Sequence, residues 1–412
     1  MKILLLGFNV QSGIYPLGLA YLKGYALQYY PDADIQIKEF SFGNRFRYET
    51  NKTVELQALS YIILQKPEIV ALSCYIWSGE TAQNFARAIK KINPEIKVIL
   101  GGVEVDDNSL SEFVDFAIYG EGEIAFKEVL DYYAGKRALE DIHNVMYFSH
   151  GKMIKNSQII IDNLDEIPFP YKFHHEEHDV VRVETTRGCL FNCNFCHYAK
   201  PALRNFSVDY VSNNLKYLFE NYTFLNLTFL DANFNTKRER MFEILDIVKK
   251  YAPKNLSVHI ELRPELVDED MVKKLDSYPF KISAELGFQS SDPDVLKKSN
   301  RPTNLEKVRD TLVLLDNSSL KYKVDLMYGL PGDTFFKFLN SCKFILENAK
   351  RQGKLVAHHF MPLSNTEFSS VDRFIPNNSS MVIKTDTQDA IDFYFTKLLV
   401  DLVNGEEILR KK

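Results

Sequence analysis

A chain of 412 residues is longer than one ordinary hydrophobic core supports, so two domains, with room for a small appendage, are expected. Hydrophobic residues make up 45% and charged residues 25%, a globular balance that excludes disordered and fibrous architectures. The formal net charge of -5 and the lack of a basic run leave no footprint for nucleic acid or for anionic lipid.

The opening KILLLGF (2–8) reads as a buried strand, because Asn9 and Gln11 end its apolar run and no small-residue cleavage site follows. No stretch reaches the roughly 18 apolar residues of a spanning helix, so a soluble, cytoplasmic protein is expected. Strand-like EIVALSCY (68–75), IKVILGG (96–102) and DFAIYG (115–120) alternate with LGLAYLKGYALQYY (17–30) and ETAQNFARAIKKI (80–92), whose apolar residues recur at helical spacing. Such alternation predicts a parallel sheet covered by helices on both faces, with ligands outside the carboxyl ends of the strands. Loops 9–16, 75–79, 101–107 and 120–123 lie there.

Residues 1–140 form this first domain, and 141–178 read as a linker containing a hairpin, HNVMYFSHGKMI (143–154), and a proline-punctuated LDEIPFPY (164–171). A second series follows in DVVRVETT (179–186), LNLTFLD (225–231), LSVHIELR (256–263), KISAELGFQ (281–289), KYKVDLMYGLPG (321–332) and KLVAHHFMPL (354–363). Six strands without a seventh and eighth predict a partial (β/α)6 barrel over 179–375, open on one side. The tail 376–412 has a polar PNNSS lead and a helical DAIDFYFTKLLVDLV. No solenoid repeat or low-complexity tract is present.

Three of the five cysteines crowd into TTRGCLFNCNFCHYAK (185–200), as Cys189-x3-Cys193-x2-Cys196, just after a predicted strand. An odd, clustered cysteine set does not suit a secreted disulfide framework and points to a reducing compartment. Three thiolates hold a four-iron cluster and leave one iron open. Structural zinc needs a closed set of four, usually from two paired knuckles, and no second pair exists; His197 or FHHEEH (173–178) would complete a Cys3His site only with poor spacing. Cys74 and Cys342 stand alone in apolar surroundings and read as core residues. FHHEEH itself reads as solvated surface.

With Phe195 before its last cysteine, this motif resembles the signature of radical S-adenosylmethionine (SAM) enzymes. FLDANFN (229–235), HIELRPELVDEDM (259–271), ELGFQSSDPDVLKKSNR (285–301) and DLMYGLPGDT (325–334) resemble strand-end motifs of the branch with an N-terminal cobalamin-binding domain. PLGLAYLKGYAL (16–27), CYIWSGE (74–80), GGVEV (101–105) and YGEGE (119–123) resemble that domain, so the likeness covers about residues 1 to 370.

The resemblance implies a Rossmann-like cobalamin-binding domain ahead of the barrel, and a [4Fe-4S] cluster, SAM and cobalamin as cofactors. It makes Cys189, Cys193 and Cys196 the cluster ligands. Phe195 is expected near the adenine, or as a core aromatic, and the Tyr198 backbone at the adenine edge. Glu261 and Arg263, two apart on one strand, are expected on one face toward the SAM ribose and carboxylate, or as a structural ion pair. Gln289, Ser290 and Arg301 would complete the pocket. The family's GGE segment is replaced by Asp231, Ala232 and Asn233, which makes Asp231 a candidate contact and leaves the partner of the SAM amino group open.

In the first domain, Ser73, Tyr75 and Trp77 are expected beside the corrin, with Trp77 as a cover on the cobalt face or a core plug. Gly101 and Gly102 would permit close cofactor approach, with Val103, Glu104, Gly120 and Glu121 nearby; Glu121 and Glu123 read equally well as a charge pair at a helix N-terminus. Asp141 to Met146 departs from the DxHxxG motif, so cobalt would lack a histidine ligand. GEGE is not a dinucleotide fingerprint. His358 and His359 end the sixth strand, where substrate would enter. The implied activity is methyl transfer from methylcobalamin to an unactivated carbon of a small molecule or peptide, with an electron donor such as flavodoxin or ferredoxin. Cyclisation, ring contraction or rearrangement on the same cofactors, and a non-catalytic cobalamin or redox sensor, are the alternatives.

Overall fold

The computed structural model describes residues 1–9, 12–41, 52–199, 202–349, 353–370 and 385–404. The PNNSS stretch and positions 10–11 of the first loop lie outside the described residues. Two units are distinguished, Met1–His178 and Asp179 onward.

In the first unit β1 (Lys2–Asn9), α1 (Leu17–Tyr29), β2 (Asp34–Ser41), α2 (Lys52–Gln65), β3 (Ile69–Ser73), α3 (Gly79–Ile92), β4 (Lys97–Gly101), β5 (Phe116–Ile118), α4 (Glu123–Tyr133), β6 (Val145–Ser149) and β7 (Lys152–Lys155) follow in order. The sheet runs β2-β1-β3-β4-β5-β6-β7, parallel through β5 and antiparallel beyond it. Successive residues of a strand face opposite ways, so Leu4 and Leu6 join Phe85 and Ile89 in one core layer while Ile3 and Leu5 join Phe126 and Leu130 in the other. Burial on both faces explains why β1 and β3 are apolar runs rather than alternating ones. Because the winding reverses between β1 and β3, a ligand crevice opens beyond their carboxyl ends.

Residues 141–178, expected as a linker, are integrated into this unit instead. The hairpin β6–β7 extends the sheet, since Ala117 and Ile118 pair with Met146 and Val145. FHHEEH is solvated only in part: His175, Glu176 and Glu177 are exposed, whereas Phe173, His174 and His178 are partly buried. Tyr15 stacks on Tyr171 at 4.1 Å and its hydroxyl donates to the His174 carbonyl at 2.8 Å. His178, only 7% exposed, meets the Gly13 carbonyl at 3.1 Å. Aromatic stacking therefore ties this stretch to the loop after β1.

The second unit contains β8 (Val180–Val183), β9 (Thr186–Arg187), β10 (Arg204–Asn205), α5 (Val208–Asn221), β11 (Asn226–Phe229), α6 (Arg238–Tyr251), β12 (Ser257–Leu262), α7 (Glu269–Asp276), β13 (Lys281–Gln289), α8 (Pro293–Lys298), α9 (Leu305–Asp316), β14 (Lys321–Tyr328), α10 (Phe335–Asn348), β15 (Gly353–His359) and α11 (Ala390–Asn404). Six of these strands form a parallel sheet in the order β8-β11-β12-β13-β14-β15, the expected partial barrel. Side-chain oxygens of Ser207, Asp268, Asp292, Asn304 and Thr334 cap five of its helices.

Its strands alternate, unlike those of the first sheet. Val258, Ile260, Leu262, Ile282, Ala284 and Leu286 are buried, while His259, Glu261, Ser283 and Glu285 between them are partly exposed. Helices cover one face only, and the polar face is left to line an open interior. The tail helix is part of this unit: the Asn404 amide bonds both the N–H and the carbonyl of Ala357 on β15, at 2.8 and 3.1 Å.

Candidate functional site

The β9–β10 ladder pairs Thr186 and Arg187 with Asn205 and Arg204, closing the base of the cysteine loop. The loop is stapled to the segment after α8, where Asn194 N–H donates to the Ser299 carbonyl at 3.0 Å and Asn300 Nδ2 to the Asn192 carbonyl at 2.7 Å. Cys189, Phe191, Cys193, Phe195, Cys196, Tyr198, Ala232, Asn233, Glu261, Leu262, Gly287, Gln289 and Arg301 surround one cleft of about 140 Å³. Of the expected residues, the three cysteines, Phe195, Tyr198, Glu261, Gln289 and Arg301 thus come together. Gln289 has φ of +73° where β13 bulges, which turns the strand end into the cleft.

The cysteine sulfurs already carry polar partners. Asn233 Nδ2 donates to Cys189 Sγ at 3.1 Å, Arg301 Nη1 lies 3.6 Å from Cys193 Sγ, and the Tyr198 backbone N–H is directed at Cys196. Burial pushes the Cys196 thiol up to about 11, and the neighbouring Cys193 and Cys189 add to this. Three crowded thiolates need a cationic partner, which iron supplies. Arg301 Nη2 bonds the Gly287 carbonyl, but its Nε is buried without a hydrogen-bond partner. An unpartnered guanidinium N–H beside three cysteines suits both an anionic cluster and the carboxylate of a bound amino-acid cofactor. The donor set therefore fits the implied pair.

Three expected contacts are drawn elsewhere. Arg263 is 2% exposed, because β12 ends at Leu262 and a 3-10 turn begins at Pro264. Its guanidinium pairs with Glu265 at 3.1 Å, bonds the Pro302 carbonyl and lies 4.0 Å from the Phe191 ring centre. It supports the cleft wall from behind. Asp231 is fully buried and accepts from the Thr185 hydroxyl and N–H at 2.6 and 3.2 Å, joining the ends of β8 and β11. Ser290 is buried beside Ser341 and accepts from the Asp292 N–H.

Sequence reasoning missed Asn233 as a sulfur partner, and Phe191 and Gly287 as cleft walls. It also missed a charged row on the same open face of the sheet. Glu285 lies 3.2 Å from His259 Nε2 and 2.6 Å from Lys323 Nζ, and Asp325 lies 3.1 Å from His358 Nε2. Burial would raise the Glu285 carboxyl, yet hydrogen bonds from His259, Asp325 and Lys323 hold it below the usual carboxylate range. Burial pushes Glu261 up to about 8, with the Glu285 and Asp325 carboxylates adding and Lys323 opposing. His359 turns away and packs its ring against Tyr328 and Phe393. The missed signal was the polar residue at every second position of strands otherwise typical of a buried parallel sheet.

In the first unit, Trp77 and Tyr75 stack at 4.9 Å with rings 9° apart beyond β3. Trp77 Nε1 donates to the Phe8 carbonyl on β1 at 2.8 Å. This indole spans the switch point and is only partly buried. Ser78 Oγ anchors the loop by donating to the Ser73 carbonyl at 3.0 Å. A Cβ on Gly101 would meet only Ile118 Cβ at 3.9 Å, which leaves room for a ligand's approach, and Val103 is exposed. A flat aromatic pair at the switch point, with free space at Gly101, fits a large planar macrocycle.

Other expected contacts there have intramolecular duties. Gly102 has φ of +126° and a Cβ would lie 2.4 Å from the Cys74 carbonyl oxygen, so glycine is needed for the protein's own packing. Gly120, with φ of +71°, sits against the Gln158 amide. Glu121 accepts from the Ile161 N–H at 3.0 Å, and Glu104 donates its own N–H to the Cys74 carbonyl. His143, which was not expected to ligate cobalt, lies 3.1 Å from Glu128.

A doubly wound unit with an aromatic pair at its switch point, followed by a half barrel with a three-cysteine cleft, defines a two-domain α/β protein. Residues 183–345 match the radical SAM superfamily and residues 3–130 match the B12 binding domain. The chain belongs to the cobalamin-binding radical SAM enzymes, whose cofactors are a [4Fe-4S] cluster, SAM and cobalamin. It is 26% identical to an uncharacterized methyltransferase of Pyrococcus horikoshii, over 81% of this chain and 75% of that one. It is also 26% identical to the cobalamin-dependent radical SAM methyltransferase TokK of Streptomyces tokunonensis, over 68% of this chain but only 45% of TokK. The fold matches that of TsrM from Kitasatospora setae, a radical SAM methyltransferase solved with cobalamin and [4Fe-4S] cluster bound, with a TM-score of 0.69 at 14% identity over 95% of this chain and 81% of that one.

Proposed function

We propose that the chain is a cobalamin-dependent radical SAM methyltransferase whose substrate is a polar small molecule or peptide. The observation that carries this is the cleft in which Cys189, Cys193 and Cys196 meet Glu261, Gln289 and Arg301, opening onto a charged sheet face. When bound, the cluster and SAM supply a 5′-deoxyadenosyl radical, and cobalamin supplies a methyl group for a carbon that has no lone pair to attack SAM itself.

The chain's own residues hold and screen. The three cysteines would ligate the cluster, and Asn233 and Arg301 would stabilise the sulfurs through N–H groups. Phe195 and the Tyr198 backbone would border the adenine, while Arg301 Nε and Gln289 would meet polar groups of SAM. Glu261, neutral below about pH 8, would act there as a hydrogen-bond donor. Tyr75 and Trp77 would support the corrin. The Glu285, Lys323, Asp325, His259 and His358 row would bind polar substrate groups in fixed orientation. Among the described residues no helix is long and apolar enough to cross a membrane; a cytoplasmic enzyme reduced by flavodoxin or ferredoxin suits the oxygen-sensitive chemistry.

Anaerobic reconstitution tests both cofactors. Reductant-dependent 5′-deoxyadenosine is expected from the wild type and none from Cys193→Ala; undiminished product from the variant would overturn the cluster assignment. With a substrate, S-adenosylhomocysteine should accumulate in step with methylated product. Turnover without it would overturn methyl transfer.

A further inference from the structure

Helix α11 is apolar on two opposite sides. Phe393, Val400 and Val403 are buried against its own unit, yet Ile391, Tyr394, Phe395, Leu398 and Leu402 are 68%, 59%, 53%, 46% and 54% exposed. At 100° per residue these five fall in one stripe about 100° wide, the width that normally faces a core. Asp392, Lys397 and Asp401 are the only charged residues in its 15, and all three lie outside the stripe. A helix apolar on both sides belongs in an interior.

We propose that this stripe is the interface between two copies of the chain, with the two α11 helices antiparallel about a twofold axis at Leu398. Charge placement selects that arrangement. Lys397 and Asp401 lie on the same flank of the stripe, and in an antiparallel pair like flanks adjoin, so each Lys397 comes beside Asp401 of the other copy. Asp392 lies on the other flank, and the antiparallel order carries the two copies of it to opposite ends. Leu398 then packs on itself, and Tyr394 and Phe395 meet Leu402 of the other copy. A twofold contact is self-complementary and closes, so it buries the stripe without forming filaments. One helix pair is a small interface, and the dimer should dissociate on dilution.

Sedimentation equilibrium of the cofactor-loaded protein over a wide concentration range tests this. The expected mass approaches twice the 47.7 kDa of the chain at high concentration and falls toward one copy on dilution. Leu398→Glu, an exposed position, should leave the melting temperature and deoxyadenosine formation unchanged while abolishing the dimer. Lys397→Glu should weaken it, and Lys397→Glu with Asp401→Lys should restore it. Leu398→Cys should form an interchain disulfide joining residue 398 to itself, identified by peptide mass spectrometry. A wild type that stays monomeric throughout overturns the proposal, whether residues 371–384 or a different protein cover the stripe. So does a dimer that survives Leu398→Glu.

Discussion

Glu261 offers a quantitative test of the cleft's electrostatics. It lies on the open face of β12 directly across from Glu285, and burial with that neighbour and Asp325 moves its carboxyl from the ordinary 4.5 to about 8. The unfolded chain releases this proton near pH 4.5, whereas the folded chain holds it to about 8. The folded state therefore binds more protons across that window, and stability falls as pH rises through it. At 1.36 kcal/mol per pH unit, the loss by pH 7 is about 3 kcal/mol, or about 2 allowing for the solvent that reaches a partly buried side chain. Glu261→Gln keeps the shape and removes the titration. Urea unfolding of the cofactor-free chain, followed by far-UV circular dichroism, should show the variant within about 1 kcal/mol of wild type at pH 5 and about 3 kcal/mol more stable at pH 8. Trp77, the single tryptophan, reports the first unit and should be unaffected. A difference that stays flat with pH would refute the account.

Gly102→Ala should cost about 3 kcal/mol or more, since the new Cβ meets a carbonyl fixed by the 2.7 Å bond between Cys74 N–H and the Gly101 carbonyl, and the backbone is left-handed there. Gly101→Ala has room and should cost under about 1 kcal/mol; equal effects in Trp77-monitored unfolding would contradict this packing argument. Asn233→Ala removes a donor to Cys189 Sγ, and hydrogen bonds to cluster sulfurs raise the potential. A redox titration followed by electron paramagnetic resonance should find a more negative midpoint. An unchanged or more positive value would remove Asn233 from the cluster's surroundings.

Much of the architecture was legible as local pattern. Cys189, Cys193 and Cys196 share one loop, so their convergence needed no tertiary information, and the six strand runs of the second unit announced themselves by their spacing. The strand Asp34–Ser41 escaped notice although DIQIKEFS carries usable periodicity. The hairpin at 145–155 was recognised as a hairpin but not as part of a sheet, because pairing with β5 is a property of two distant segments.

By itself, then, the sequence determined the two-unit α/β plan, the three-thiol loop and the helical character of α11, all of which depend on period and on residues close in the chain. Only the tertiary structure decided which polar side chains face the cleft. Arg263, Asp231 and Ser290 look as eligible as Arg301 and Gln289 in sequence, but the first three are turned to Glu265, Thr185 and Ser341, whereas Arg301 and Gln289 line the cleft. A side chain's direction follows from where its strand ends, and its availability from what lies opposite. Neither is written within a few residues of it.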